Sequence, residues 1–278
     1  MTDYLRMRVK DYEELTKVIA QKKQRLASYY GIDEAKDQAK FDVMIKGERG
    51  MEGLETQKGR ASRDIEKALD LFDIWRIWLK EVPGIGPALA GSLVLLYYSK
   101  NVPVCQKCGG DLEKIEGGME CKECGAKAKA DGVLKYREER RDFPNISKWW
   151  AFMGRHTVDG VMPKRKAGVV SNWSTKGRTL GFHIGDQFNR QKDTHPYKAF
   201  MLERKAKHAK NHPDWTKGHI HNAAKNEAVK LFLAHFWTVA REIDGLEVTD
   251  PYAGTIMGHT GIIRPFYWDE PEKIEAVG

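Results

Sequence analysis

The sequence has no long apolar run. Its longest apolar stretch, Ala88 to Tyr98, is interrupted by Gly91 and Ser92. A spanning helix needs ~18 consecutive apolar residues. The opening residues, Met1-Thr-Asp-Tyr-Leu-Arg-Met-Arg-Val-Lys10, carry no apolar signal core, and mean hydropathy is −0.59. Membrane insertion, a membrane partner and secretion are poor readings. The expectation is a soluble protein of the cytoplasm, associated with the nucleoid. Cysteine is scarce: four in 278 residues, all between positions 105 and 124. Nothing suggests an oxidising compartment, so a disulfide-stapled scaffold is disfavoured. There is no glycine-rich nucleotide cradle, because Pro83-Gly-Ile-Gly-Pro87 lacks a following Gly-Lys-Ser/Thr. His208 and His212 stand four apart without the intervening Glu of a His-Glu-x-x-His site. With His219 and His221 they read as surface or phosphate-facing histidines. Asp250 and His259 are too isolated to make a site.

What is present is a foldable, basic chain. It is 41% hydrophobic, 10% aromatic and 31% charged, which supplies a core and excludes disorder throughout. The length suits one large domain or two small ones. The formal charge is +8, and its position carries more meaning than its size. Residues 161–217 hold thirteen Lys/Arg against Asp186, Asp193, Glu203 and Asp214, a net of +9, so the remainder carries −1. An excess gathered in one stretch is what a polyanion-binding face looks like, and also what a solvated basic surface looks like.

Cys105, Cys108, Cys121 and Cys124 form Cys-x2-Cys, twelve residues, Cys-x2-Cys. Each pair is followed by glycine, which permits the positive φ that completes such a turn. Two knuckles supply four thiolates, a closed tetrahedral zinc site that is structural because no coordination position stays open. The predicted zinc ribbon spans about 104–130, with Gly117-Gly118 at its tip. It is too short to bury a core, so the metal supplies its folding free energy. Its charge is near neutral, which suits bracing or protein contact as well as nucleic-acid binding.

Along the chain, residues 1–60 read as helix. Leu5, Tyr12, Ile19 and Leu26 recur every seven residues, with Val9, Thr16, Lys23 and Tyr30 four further on. This fits a coiled-coil or hairpin arm, or an amphipathic helix packed on its own domain. Gly31, Gly47, Gly50 and Gly53 predict a break near 45–55. A second helix is expected from Ser62 to Glu81, with Ile65, Leu69, Phe72, Trp75 and Leu79 on one face. Helix, Pro83-Gly-Ile-Gly-Pro87 and a small-residue helix make a helix-hairpin-helix pattern. Its glycines, Gly84 and Gly86, let backbone N–H groups approach a phosphate. Pro144 and Ser147 mark another helix start, with Trp149, Trp150 and Phe152 as core. A basic loop and helix follow, then a basic helix over 200–210. The last helix, 218–243, buries Ala224, Ala228, Leu231, Phe232, Phe236, Val239 and Ile243. The tail, with Pro251, Pro265 and Pro271, is irregular.

Leu79-Lys-Glu-Val-Pro-Gly-Ile-Gly-Pro-Ala-Leu-Ala90 resembles the opening of the C-terminal domain of the insertion-sequence "one-ten" family, the pilin-invertase-like DEDD transposases. Phe143-Pro-Asn-Ile-Ser-Lys-Trp-Trp-Ala-Phe-Met-Gly154 resembles the family's next block. Ser174-Thr-Lys-Gly-Arg-Thr-Leu180 resembles its Gly-x-Arg turn and helix, and the final helix resembles the stretch from His221 to Trp237. The heptad arm is similar to the family's coiled coil. The likeness covers about 1–103 and 130–245. The family's N-terminal RuvC-like nuclease half has no counterpart here. The family's serine nucleophile falls at Ala167, in Pro163-Lys-Arg-Lys-Ala-Gly168, and alanine has no oxygen to form a covalent DNA intermediate. Ser171 and Ser174 are weak substitutes.

The expected fold is mostly α: a helical arm (1–60), a helix-hairpin-helix transposase-like domain in two parts (61–103 and 131–245), a zinc ribbon inserted at 104–130 and an irregular tail (246–278). The expected function is DNA binding, with or without a guide RNA, through Gly84, Gly86, Lys164, Arg165, Lys166, Lys176 and Arg178, with Trp173 as a stacking side chain. Recombination is doubtful in the absence of the serine. The alternatives are an active recombinase using another serine or a separate nuclease subunit, and a zinc-ribbon scaffold. Partners implied are DNA, structured RNA and a second copy through the arm.

Overall fold

A computed structural model describes residues 2–30, 38–39, 42, 45, 53–116, 118–129, 135–157, 161–249 and 263–268. Gly31, Gly47, Gly50, Gly117, Asp250, Pro251, His259 and Pro271, and the Tyr30 side chain, lie outside that set. The described chain is mostly helical, with two small sheets. It divides into a helical unit drawn from Met1–Leu93 and Phe143–Gly278, and a smaller unit, Val94–Asp142.

In the helical unit, α1 (Thr2–Tyr30) packs along α2 (Leu54–Leu69). Leu5, Val9, Ile19 and Leu26, the apolar heptad positions, are buried. Ile19 and Leu26 share a cluster with Ile45, against which Leu54 packs. Gly91 of α4 (Pro87–Tyr98) sits where a Cβ would lie 2.9 Å from both Ile65 and Val9 methyl carbons. The heptad face therefore finds burial within its own chain.

The helix expected from Ser62 to Glu81 is instead three pieces. α2 begins earlier, after Gly53, and Ser62 lies inside it. A turn at Asp70–Phe72 leads to the short α3 (Asp73–Ile77) and a single 3-10 turn at Leu79–Glu81. At ~100° per residue, Ile74 and Trp78 would fall on the side of a straight helix opposite Ile65. Both are buried, as are Ile65, Leu69, Phe72, Trp75 and Leu79. The break at Asp70–Phe72 lets both sets be buried.

The rest of this unit is α5 (Ile146–Phe152), α6 (Thr175–Arg190), α7 (Pro196–Asn211) and α8 (Lys217–Ile243). The cap of α5 is Asn145, whose side chain accepts from the Lys148 N–H, and Ser147 lies inside the helix. α8 packs against α5, α6 and α7 and is buried on nearly every side. Trp78, Trp149, Trp237, Tyr197, Phe188, Phe232 and Phe236 are fully buried. Phe188 stacks on Tyr197 with centroids 4.6 Å apart. Two of the buried indole N–H groups end on carbonyls: Trp237 donates to Phe143 at 2.8 Å and Trp78 to Phe266 at 2.7 Å. The tail residues Phe266 and Trp268 thus close the aromatic core.

The smaller unit pairs β1 (Lys100–Val104) antiparallel with β5 (Lys135–Glu139), Lys100 opposite Glu139 and Val104 opposite Lys135. Between them, β2 (Leu112–Ile115), β3 (Gly118–Cys121) and β4 (Lys127–Lys129) form an antiparallel meander. The strands flanking the cysteines extend this unit beyond the expected 104–130. Lys100 pairs with Glu139 at 2.8 Å, and Arg137 bridges Asp111 and Glu139. Ser99 bonds Glu138.

Candidate functional site

Both cysteine knuckles close the same way. The Gly109 N–H donates to the Cys105 carbonyl at 2.9 Å, and the Gly125 N–H to Cys121 at 3.0 Å. Both glycines have positive φ, 80° and 67°, which is costly for residues bearing a Cβ. The turns aim four sulfurs at one point: Cys108 Sγ is 3.4 Å from Cys121 and Cys124 Sγ, and Cys105 Sγ is 3.7 Å from Cys124 Sγ. All four sulfurs lie within 4.8 Å of one another. They are free thiols, too far apart for disulfides. Zn–S bonds of ~2.3 Å in a tetrahedron place sulfurs about 3.8 Å apart, so the group can hold a metal ion and its geometry is compatible with zinc. The backbone N–H groups of Cys108 and Lys107 draw the Cys105 thiol down to about 6. Cys108 moves up to about 12: the Gly110 N–H favours its thiolate, but the Cys121 and Cys124 sulfurs beside it resist a second charge. Among the described residues this is the one His/Cys/Asp/Glu group whose ligand atoms converge.

The basic segment begins as an exposed loop. Lys164, Arg165, Lys166 and Ala167 are exposed, Gly168 turns at φ 72°, and Val170 is 94% exposed. None of the three basic residues has an ion-pair partner among the described residues. The loop then anchors on α6. Ser174 caps that helix, its Oγ accepting from the Gly177 N–H at 3.0 Å. Arg178 donates to the Pro163 carbonyl at 2.5 Å and lies over Trp173, 5.4 Å from the ring. Trp173 is half-buried, packed so closely on Gly154 that a Cβ there would lie 2.7 Å from it. Arg178 and Trp173 therefore hold the loop in place as well as edging it, and one face of the indole is taken. Lys176 is exposed, 3.3 Å from Glu13 of α1.

The hairpin glycines lie elsewhere. Gly84 has φ 91°, and a Cβ on it would meet Gln191 at 2.8 Å and Gln187 at 3.3 Å, at the far end of α6. At ~1.5 Å rise per residue, Gln191 is about 20 Å from Arg178 along that helix. The hairpin and the loop are thus two sites along one helix. Gly86 is exposed and caps α4, whose first N–H groups have no helical partner. Val82 and Ile85 are core, so packing also accounts for the turn.

Three features escape the sequence pattern. Lys225 on α8 is buried, bonded to Asp186 of α6 at 2.8 Å, with its ammonium over the Phe182 ring. One of the four acids of the basic segment is thereby neutralised. Nearby, burial lowers the pKa of His221, helped by the charges of Lys205, Lys225 and Lys198 and opposed by Asp186. The histidine cluster stacks: His212 and His219 each lie 4.0 Å from the Trp215 ring, and His208 bonds Glu227 at 2.7 Å. Arg155 is buried between α6 and α8. Compared with protein-family models, curated proteins and solved structures, the chain matches none.

Proposed function

We propose that the chain binds nucleic acid, DNA foremost, through the basic face of residues 161–217, and that the four cysteines hold one structural zinc ion in a zinc-ribbon fold. The observation that carries the reading is the confinement of the charge excess to that segment, +9 against −1 elsewhere. Three consecutive exposed cations, Lys164, Arg165 and Lys166, support it, because unpaired Lys and Arg are the groups that exchange counterions for phosphates. A helix-hairpin-helix role for Gly84 and Gly86 would add a second phosphate contact at the start of α4.

The resemblance to the "one-ten" transposases favours DNA over other polyanions, and it admits a structured RNA, a second copy through α1 and a separate nuclease subunit as partners. The form of the reading we put forward is binding without strand chemistry. Ala167 offers no nucleophile, and the Ser174 hydroxyl serves as a helix cap. With all four ligands from protein, the zinc would leave no site for substrate.

The test is affinity for duplex DNA as a function of salt. Each phosphate contact contributes about 0.9 to the slope of log K against log salt. Replacing Lys164, Arg165 and Lys166 by Ala should lower the slope by about 2–3. A flat slope in the unaltered protein would sink the reading.

A further inference from the structure

Arg155 is an unusual residue to bury. It is 8% exposed, and it follows Gly154, whose positive φ turns the chain out of α5. Its two hydrogen bonds go to neutral acceptors: Nη1 donates to Asn226 Oδ1 at 2.6 Å and Nη2 to the Arg178 carbonyl at 3.0 Å. Its Nε is buried with no partner. Among the described residues no carboxylate reaches it, and the charged group that does influence it is a second cation, Arg178. Burial, with that neighbour's charge, pulls the Arg155 pKa down to about 10. The seat is also built at some expense to α6. Gly181 lies in the helix interior, where glycine is a weak helix former, and a Cβ there would lie 2.5 Å from Nη2 and 2.8 Å from Nε.

A purely structural role explains this poorly. A neutral side chain could brace Asn226 and the Arg178 carbonyl without burying an uncompensated charge, and buried charges are ordinarily paired. Arg155 keeps one buried donor, Nε, without an acceptor, and the charge that reaches it among the described residues is the cation of Arg178. Arg178 and Asn226, which flank it, are half-buried.

We propose that Arg155 and Arg178, with the Asn226 side chain as a neutral spacer, bind a phosphate group. The planar fork of arginine suits such an oxyanion and supplies charge-assisted bonds. The inference deepens the reading given above, on which it rests for the source of the phosphate: the backbone of a bound nucleic acid. Inorganic phosphate shares the chemistry and serves as the probe.

The experiment measures thermal unfolding of the full chain in sodium phosphate and in sodium chloride at matched ionic strength. The unaltered protein should gain stability with the logarithm of phosphate concentration, as a ligand of the folded state requires. Arg155→Gln should weaken phosphate binding by about tenfold or more, without lowering the unfolding temperature in chloride. Asn226→Asp, which supplies an internal carboxylate, should raise the unfolding temperature in chloride and abolish the phosphate response, an outcome misfolding cannot mimic. No phosphate response in the unaltered protein, or the same response in both variants, would overturn the proposal. Duplex binding separates the two readings. A phosphate response at Arg155 without duplex binding keeps this site and removes the DNA reading. Duplex binding without a phosphate response removes this site and keeps that reading.

Discussion

The two units of the chain are stabilised by different physics. The helical unit fully buries seven large aromatic side chains, and the indole N–H groups of Trp78 and Trp237 end on carbonyls. In the smaller unit, among the described residues from β1 to β5, Val104, Cys105 and Cys121 are the buried apolar side chains. Two of those three are metal-ligand candidates. A unit of this size with so small an apolar interior needs a staple, and four converging thiols are the staple on offer. The charge is divided as well: the excess belongs to the helical unit, while residues 104–130 carry five Lys and five Asp/Glu. One unit carries a large apolar core and the charge excess, the other little apolar interior and four cysteines that could hold a metal ion.

That contrast breaks most visibly if the metal is removed. Structural zinc contributes on the order of 10 kcal/mol or more to such modules. Chelation, or Cys105→Ser with Cys121→Ser, should abolish hydrogen-exchange protection over 94–142 and leave α6 and α8 protected. Equal loss in both units, or none, would contradict it. On the helical side, Trp237→Ala removes a fully buried indole and its bond to the Phe143 carbonyl. We expect a loss of about 3–5 kcal/mol in denaturant titration, with zinc content unchanged at one ion per chain by elemental analysis.

The pH response should be a property of the helical unit. His235 lies in the core, its Nε2–H donating to the Ile263 carbonyl at 2.9 Å and its Nδ1 accepting from the Tyr197 hydroxyl at 2.8 Å. Burial pulls its pKa down to about 4. Above pH ~6.5 neither state binds the proton, and the full stability is present. Between ~6.5 and about 4 only the unfolded state binds it, so stability falls as pH falls, by about 3 kcal/mol in all. His235→Gln should flatten this difference in unfolding free energy measured across that window. A smaller effect tests the arm. Gly91→Ala places a methyl 2.9 Å from Ile65 and Val9 and should cost about 1–3 kcal/mol. Gly218→Ala, with open space around it, should be neutral or slightly stabilising. Equal effects would mean that α1 does not pack where it is described.

Much of this was legible in the sequence where the signal is local. The cysteine spacing and its glycines announced the knuckles, and Ser174 sits at the start of α6. The heptad residues Leu5, Val9, Ile19 and Leu26 were rightly apolar-facing. What periodicity missed depends on tertiary contact. The break at Asp70–Phe72 follows from the need to bury Ile74 and Trp78, which one helical stripe excludes. The β1–β5 pairing joins residues more than thirty apart, which no local pattern records. α8 is buried nearly all round, so Lys225, His235 and Arg241 on it are core residues that a single stripe leaves out. Arg155 carried no sequence signal, because the lack of a carboxylate beside it among the described residues is a fact of packing alone.

The most direct test of the account sets the two units against each other in one titration. Duplex affinity is measured against salt for the unaltered chain, for Lys164→Ala/Arg165→Ala/Lys166→Ala, and for Lys107→Ala/Lys114→Ala/Lys122→Ala in the cysteine-bearing unit. The account predicts that the first triple variant lowers the log–log slope by about 2–3 while the second leaves it unchanged. A slope that falls only with the second triple variant, or that is flat for all three proteins, would contradict it.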